Sequence, residues 1–284
     1  MKENKFTMER VGIAVSEVCN LNCRLCGAYS PYRKNNYFPP VDELCDYIKR
    51  YFSIVDYVDL FSVTGGEPLV YRQLPELMDY LLKYSDQYGK MEIYTNGTTV
   101  PSTELLQILK KYGNKFRRFV IDNYGENLSK KIHEISSVLV EFGIPYDIRD
   151  YCSSEMHCGG WVDLGKAIEK IHTHEEAAEL FQKCAIAQKI RFCFDIANGN
   201  LFPCGPLFNR LNLGLPVDDG DYINLMDDTL SIEEQRSKIF NIYNAECLGI
   251  CQYCKGMCDD SPRYKPAEQL TVDEIKQIRN VDFE

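Results

Sequence analysis

The run Val11-Gly12-Ile13-Ala14-Val15 stands just ahead of a loop that reads Cys19-Asn20-Leu21-Asn22-Cys23-Arg24-Leu25-Cys26. The apolar run predicts a first strand, and the chain beyond the loop alternates amphipathic stretches with further short β-rich runs, which is the rhythm of an α/β fold. Helical spacing over 41–52 puts Leu44, Tyr47, Ile48 and Tyr51 on one face. Strands are expected over 57–63, 91–95, 116–121 and 145–151, with helices over about 74–88, 102–112 and 129–142. Ser102 or Thr103 is suited to cap the third helix, and Asn96-Gly97 closes the third strand. Repeated β/α units imply parallel strands, because each crossover helix returns the chain to the same edge. A partial (β/α)6 TIM-like barrel is the expected product.

Composition narrows the function. Of the 284 residues, 45% are hydrophobic and 26% charged, which suits a well-packed globular chain. Asp and Glu number 42 against 32 Lys and Arg, a formal charge of -10 that argues against nucleic acid as a partner, since phosphate binding needs clustered cations. No run of 18 apolar residues occurs and the N-terminus MKENKFTMER is charged, so no membrane span or export signal is read and a cytoplasmic protein is expected. There are 13 cysteines, an odd number. Under reducing conditions clustered cysteines read as metal ligands rather than disulfides.

After residue 150 the rhythm breaks. A helix-like stretch near 174–183, a hairpin centred on Asn198-Gly199-Asn200 and a loop-rich tail come next, and nine of the 13 cysteines lie at or after Cys152. The tail promises little core of its own, so a metal staple is expected to order it. The chain divides at this level into 1–170 as the barrel and 171–284 as a cysteine-rich region with a C-terminal helix.

Three thiolates within eight residues can hold three corners of a cubane and leave one iron open. Zinc is the weaker reading, because it takes four ligands and the first histidine is His133. The spacing Cys-x3-Cys-x2-Cys resembles the cluster motif of the radical S-adenosylmethionine (SAM) superfamily. Gly65-Gly66-Glu67-Pro68, after the second strand, is similar to that family's GGEP motif, whose backbone receives the SAM amino group; two glycines let the main chain approach a ligand closely. The resemblance implies a [4Fe-4S] cluster on Cys19, Cys23 and Cys26 with SAM at the open iron. An electron from the cluster then cleaves SAM to methionine and a 5'-deoxyadenosyl radical, which takes a substrate hydrogen atom. It further implies that Asn96 lines the SAM pocket, that Asp122 takes the ribose hydroxyls and that Arg149 pairs with the SAM carboxylate. Leu25 departs from the pattern, since many members carry an aromatic residue there.

The series Cys184, Gly199-x4-Cys204 and Cys251-x2-Cys254 resembles the auxiliary-cluster extension called SPASM, or its shortened form, twitch. One auxiliary [4Fe-4S] cluster on Cys184, Cys204, Cys251 and Cys254 is implied, with Cys193, Cys247 and Cys258 as spares; Cys247, Cys251, Cys254 and Cys258 also offer a zinc set. Cys158 and Cys193 are candidate hydrogen-atom donors, against the plainer reading that they pack. Cys45 reads as core, Trp161 as a barrel-rim residue, and His172 and His174 as a solvated helix start. The expected activity is that of a radical SAM oxidoreductase-like enzyme on a sugar or aminocyclitol, by dehydrogenation or epimerisation. A ribosomally made peptide is the alternative substrate, tilted against because the cysteine motif starts at residue 19 and leaves no room for a leader-binding module. A reducing partner such as flavodoxin or ferredoxin is implied. A zinc-stapled binding protein is the alternative of another class.

Overall fold

The computed structural model describes residues 5–33 and 37–279 and begins with β1 (Thr7–Ala14). This strand starts ahead of the apolar run: Met8 is buried although Glu9 and Arg10 interrupt the hydrophobic pattern, its sulfur meeting the buried Tyr51 hydroxyl. From there α1 (Val41–Ile54), α2 (Leu74–Leu81), α3 (Thr103–Lys111) and α4 (Ile132–Phe142) carry the chain in turn to β2 (Tyr57–Thr64), β3 (Tyr88–Thr95), β4 (Phe116–Asn123) and β5 (Tyr146–Asp150). Neighbouring strands are parallel throughout this series. The Ser102 side chain caps α3 by accepting from the Leu105 amide. The second helix is shorter than its sequence suggests. It passes into a 3-10 stretch over Leu82–Gln87 that is kinked at Tyr84, whose ring stacks on Phe52 at 4.8 Å.

One face of this sheet is apolar. Val11, Ile13, Phe61, Val63, Met91, Ile93, Phe119 and Ile121 share a single core with Leu44 and Ile48 of α1, Leu77 of α2, Leu105 and Leu106 of α3, and Ile135 and Leu139 of α4. The chain continues through α5 (His174–Lys183) and α6 (Ala185–Gln188) to the hairpin of β6 (Phe194–Ala197) and β7 (Asn200–Phe202). Asn198 and Gly199 turn it with φ of 49° and 73°, the left-handed pair that a two-residue hairpin requires. β6 lies parallel to β1, so the sheet order is β5-β4-β3-β2-β1-β6-β7-β8, with β8 at Ile223–Asn224. The fold is thus mixed α/β. Its six parallel strands form the expected partial barrel, with the sixth joined at the β1 edge.

α7 (Gly205–Asn212), α8 (Ile232–Tyr243) and α9 (Val272–Arg279) complete the chain, α8 being opened by a capping box of Ser231 and Glu234. The expectation that the tail lacks core is corrected here. Leu207, Ile223, Leu225, Ile239, Ile242, Leu248 and Ile250 are buried in the same core as the barrel strands.

The face opposite the helices is polar. Strand register aligns Asp195, Gly12, Ser62, Glu92 and Arg118 in one row across β6, β1, β2, β3 and β4. Among the described residues, no helix is long and apolar enough to cross a membrane.

Candidate functional site

The cysteine loop leaves the C-terminal end of β1 and is zipped to the loop after β2. The Gly66 amide donates to the Ser16 carbonyl and the Glu67 amide to the Val18 carbonyl, both at 2.9 Å. The two glycines are therefore required by the fold itself. A Cβ on Gly66 would lie 2.2 Å from the Val18 oxygen, and one on Gly65, at φ +133°, would lie 2.5 Å from the Ser16 oxygen. What they approach is the cysteine loop's own backbone. The Glu67 side chain, 1% exposed, accepts from the Asn96 amide (2.7 Å), the Thr95 hydroxyl (2.8 Å) and the Leu69 amide (3.1 Å), tying the end of β2 to the end of β3. Burial lifts its carboxyl to about 7 against those three donors. Pro68 opens the short 3-10 turn next in the chain.

Around the thiols, Asn96 Nδ2 donates to Asn20 Oδ1 (3.0 Å) and lies 3.6 Å from Cys19 Sγ. Gln269 Nε2 donates to Cys23 Sγ at 3.3 Å, and its Oε1 accepts from the Asn22 amide at 2.8 Å. The 268–270 segment pairs with the cysteine loop on both sides, through Arg24 N to Glu268 O and Leu270 N to Asn22 O, each 2.8 Å. Gln269 escaped sequence reasoning, since nothing local marks a residue so remote in the chain. Burial pushes the Cys19 and Cys23 thiols up to about 12, and the neighbouring Cys26 raises both further. Such thiols stay protonated unless a cation takes the charge, and that donor set fits an iron-sulfur cluster.

Asp122 and Arg149, expected to serve SAM's ribose and carboxylate, are committed to each other. Their positions pair across β4 and β5, and the guanidinium forks onto both carboxylate oxygens at 2.6 and 2.8 Å, with the Tyr124 hydroxyl donating to Oδ2 at 3.1 Å. Ser129, expected to open α4, instead donates to the Asn96 and Asp122 carbonyls (2.7 and 2.9 Å) and accepts from the Tyr124 amide at 2.9 Å. It is buried and pins the ends of β3 and β4 together.

The C-terminal cysteines gather at a second place in the fold. Cys184, Cys204, Cys251 and Cys254 line one cavity whose other walls include Leu164, Phe181, Ile186, Phe192, Leu248 and Ile250. Burial in this apolar setting raises the Cys204 and Cys251 thiols strongly and Cys254 to about 12, with the other thiols of the group adding to it. Asp221, itself buried, accepts from the Gly249 and Ile250 amides (3.0 and 2.7 Å) and so holds the turn that carries Cys251. Cys247 and Cys258 are not among the residues lining that cavity. Among the described residues no three His, Cys, Asp or Glu side chains converge as a site for a single metal ion. A cubane, whose thiolates bind different irons, spreads its sulfurs more widely than one zinc does at about 2.3 Å from each.

The two candidate hydrogen donors fall at opposite ends of the barrel. Cys158, with φ 53°, sits in the short turn His157–Gly159 beyond β5, near the aromatic group of Tyr124, Tyr151 and Trp161. Cys193 precedes β6, level with the early part of β1, and is therefore at the strand-start end, away from the cysteine loop.

The model of the Radical SAM superfamily matches residues 13–133. Those residues are a radical SAM domain. Its membership implies a [4Fe-4S] cluster and SAM. The chain is similar to a probable GTP 3',8-cyclase of Methanococcus aeolicus, with 28% identity over 133 residues that make up 46% of this chain and 43% of that one. Thus it spans less than half of that curated relative's length. In fold it resembles BtrN in complex with AdoMet and 2-DOIA, at a TM-score of 0.57 and 17% identity over 93% of this chain and 99% of the other. It also resembles anSMEcpe with bound AdoMet, at 0.54 and 14% over 95% and 96%. At such identities the likeness is one of architecture. It extends beyond the radical SAM domain into the cysteine-rich tail.

Proposed function

We propose that the chain is a radical SAM enzyme with two [4Fe-4S] clusters, one on Cys19, Cys23 and Cys26 with SAM at its open iron, the other on Cys184, Cys204, Cys251 and Cys254. The second lies in a twitch-like region spanning 171–284. The observation that carries this reading is the shared apolar cavity of the four C-terminal thiols, which come from three separate stretches of sequence. When bound, the first cluster supplies the electron that cleaves SAM and so generates the hydrogen-abstracting radical. The protein's own part is positional. Gly65 and Gly66 let the cysteine loop dock on the β2 end, Glu67 and Ser129 lock the ends of β2, β3 and β4, and Asn96 steadies Cys19.

The substrate class that fits the barrel is a small polar molecule of the sugar or aminocyclitol type, dehydrogenated or epimerised. Supporting it is the row of Asp195, Ser62, Glu92 and Arg118 on the inner face, residue types that bind hydroxyls and amines, with Arg118 donating to Glu92 at 3.2 Å. Cys158, at the rim, is the better placed of the two thiols to return a hydrogen atom. A flavodoxin- or ferredoxin-type protein is the fitting electron source.

Anaerobic reconstitution tests the reading: about eight irons per chain and 5'-deoxyadenosine from SAM under dithionite are expected. Aminocyclitols, and not short peptides, should raise the 5'-deoxyadenosine yield. Zinc in place of iron, or intact SAM after reduction, would overturn it.

A further inference from the structure

Between the two groups of cysteines lies a junction with no slack. Cys204 is followed by Gly205, the first residue of α7, and a Cβ there would sit 2.4 Å from the carbonyl oxygen of Gly27, which comes directly after Cys26. It would also meet the ring of Tyr29 at 3.5 Å. Tyr29 is 4% exposed and donates from its hydroxyl to the Gly165 carbonyl at 2.8 Å. Its amide donates to the Cys26 carbonyl at 3.0 Å, so the residue is tied to the first cysteine group while its ring faces the residue after Cys204. Its backbone is left-handed, at φ 56° and ψ 23°, a conformation a tyrosine adopts only when its surroundings impose it.

The same stretch is fixed to α7 a second time. Arg33, 6% exposed, donates to Asn209 Oδ1 at 3.1 Å and lies over the Phe208 ring at 4.6 Å, while Asn209 Nδ2 donates to the Lys166 carbonyl at 2.7 Å. Glu17, just ahead of the first cysteine, pairs with Arg33 and accepts from Asn212. Residues 27–33 and α7 thus meet at both ends, at Gly27 against Gly205 and at Arg33 against Phe208 and Asn209. Packed interiors pass displacement on rather than absorb it.

We propose that Tyr29 and the Gly27–Gly205 contact couple the two cysteine sites, so that SAM binding at the N-terminal triad alters the reduction potential of the cluster held by the C-terminal four. This rests on the two-cluster reading above. Tyr29, Gly27 and Gly205 are positioning residues: they act by setting how Cys26 and Cys204 lie against each other. Linkage makes the effect reciprocal, since reduction of the C-terminal cluster must change SAM affinity by the same factor.

The test uses the protein with both clusters loaded. The C-terminal cluster's midpoint is read by EPR-monitored titration with and without saturating SAM, its signal being identified from a Cys26→Ala protein. A coupling of about fivefold corresponds to a SAM-induced shift of about 40 mV for one electron. Tyr29→Leu, which removes the ring, should lose that shift while keeping its iron. Tyr29→Phe keeps the ring and should retain it. No SAM-induced shift in the native protein, or the same shift in all variants, would overturn the coupling. An iron content of about four per chain would instead place the failure in the two-cluster reading itself.

Discussion

Replacing Gly66 by alanine tests whether the loop after β2 truly docks on the cysteine loop. The added methyl would lie 2.2 Å from the Val18 oxygen, 2.4 Å from its carbonyl carbon and 2.8 Å from the Cys19 nitrogen, all backbone atoms without a rotamer to move. An ordinary contact is near ~3.5 Å, so the two segments must part by about 1 Å. That separation breaks the Gly66-to-Ser16 and Glu67-to-Val18 hydrogen bonds, each 2.9 Å. Those bonds contribute about 1 kcal/mol apiece and overpacking adds about 1–3 kcal/mol, giving a loss of about 3–5 kcal/mol. For a chain of this size the thermal midpoint should fall by roughly 5–10 °C. Cys19 is displaced in the same movement, so the first cluster should fail to assemble and iron should fall from about eight to about four per chain. Gly27→Ala is the control, because a Cβ there meets nothing within 4 Å and should leave stability within about 0.5 kcal/mol. Differential scanning fluorimetry under nitrogen and an iron assay on both proteins decide the matter. A Gly66→Ala protein with native midpoint and native iron would refute the docking.

Asp221→Ala takes the acceptor from two buried amides and should destabilise the chain by about 2–4 kcal/mol. Iron should drop to about four per chain while SAM still binds, as read by iron assay and equilibrium dialysis. Glu67 holds its proton up to about 7 in the fold, against an ordinary value of 4.5. The native state therefore binds more protons across that window, and this group's contribution to stability is present below it and lost as pH rises through it. The loss amounts to about 3 kcal/mol, at about 1.4 kcal/mol per pH unit between the two values. Glu67→Gln should flatten the difference in thermal midpoint between about pH 5 and about pH 7.5 relative to native; an unchanged slope would show that the carboxyl is not the titrating group. With the Arg149 fork occupying both its oxygens, Asp122→Asn should cost about 1–3 kcal/mol in stability and change SAM affinity little. Loss of SAM binding at native stability, measured by calorimetry, would return Asp122 to the ribose.

Much of the barrel was readable because its signals are local. The apolar face of α1, the Ser102 cap, the span of α5 and the Asn198-Gly199 turn each arise from residues within a few positions of one another. The misplaced boundaries have a common cause in tertiary demands. Met8 is buried behind two charged residues, Tyr84 leaves its helix to stack on Phe52, and Ser129 serves two strand ends instead of capping α4. The position of β6 was beyond local pattern altogether. Its residues say that it is a strand, but nothing local says that it pairs with β1 rather than with the equally open edge at β5.

At the site, residue types were legible and their partners were not. Cysteine spacing marks thiols for metal, and Asp122 and Arg149 are the right types for a ribose and a carboxylate. Yet the same complementarity makes them the right types for each other, and a strand register that sets them opposite across β4 and β5 brings the pair together. The GGEP glycines show the same ambiguity. A missing Cβ permits close approach without specifying what approaches, and in this chain the approaching group is Val18. The loop that would present a backbone to SAM is thereby braced on the loop that presents the thiols, through contacts that neither motif displays alone. Motif matching marks each part separately, whereas the rigidity that would let them act on one ligand comes from the contact between them.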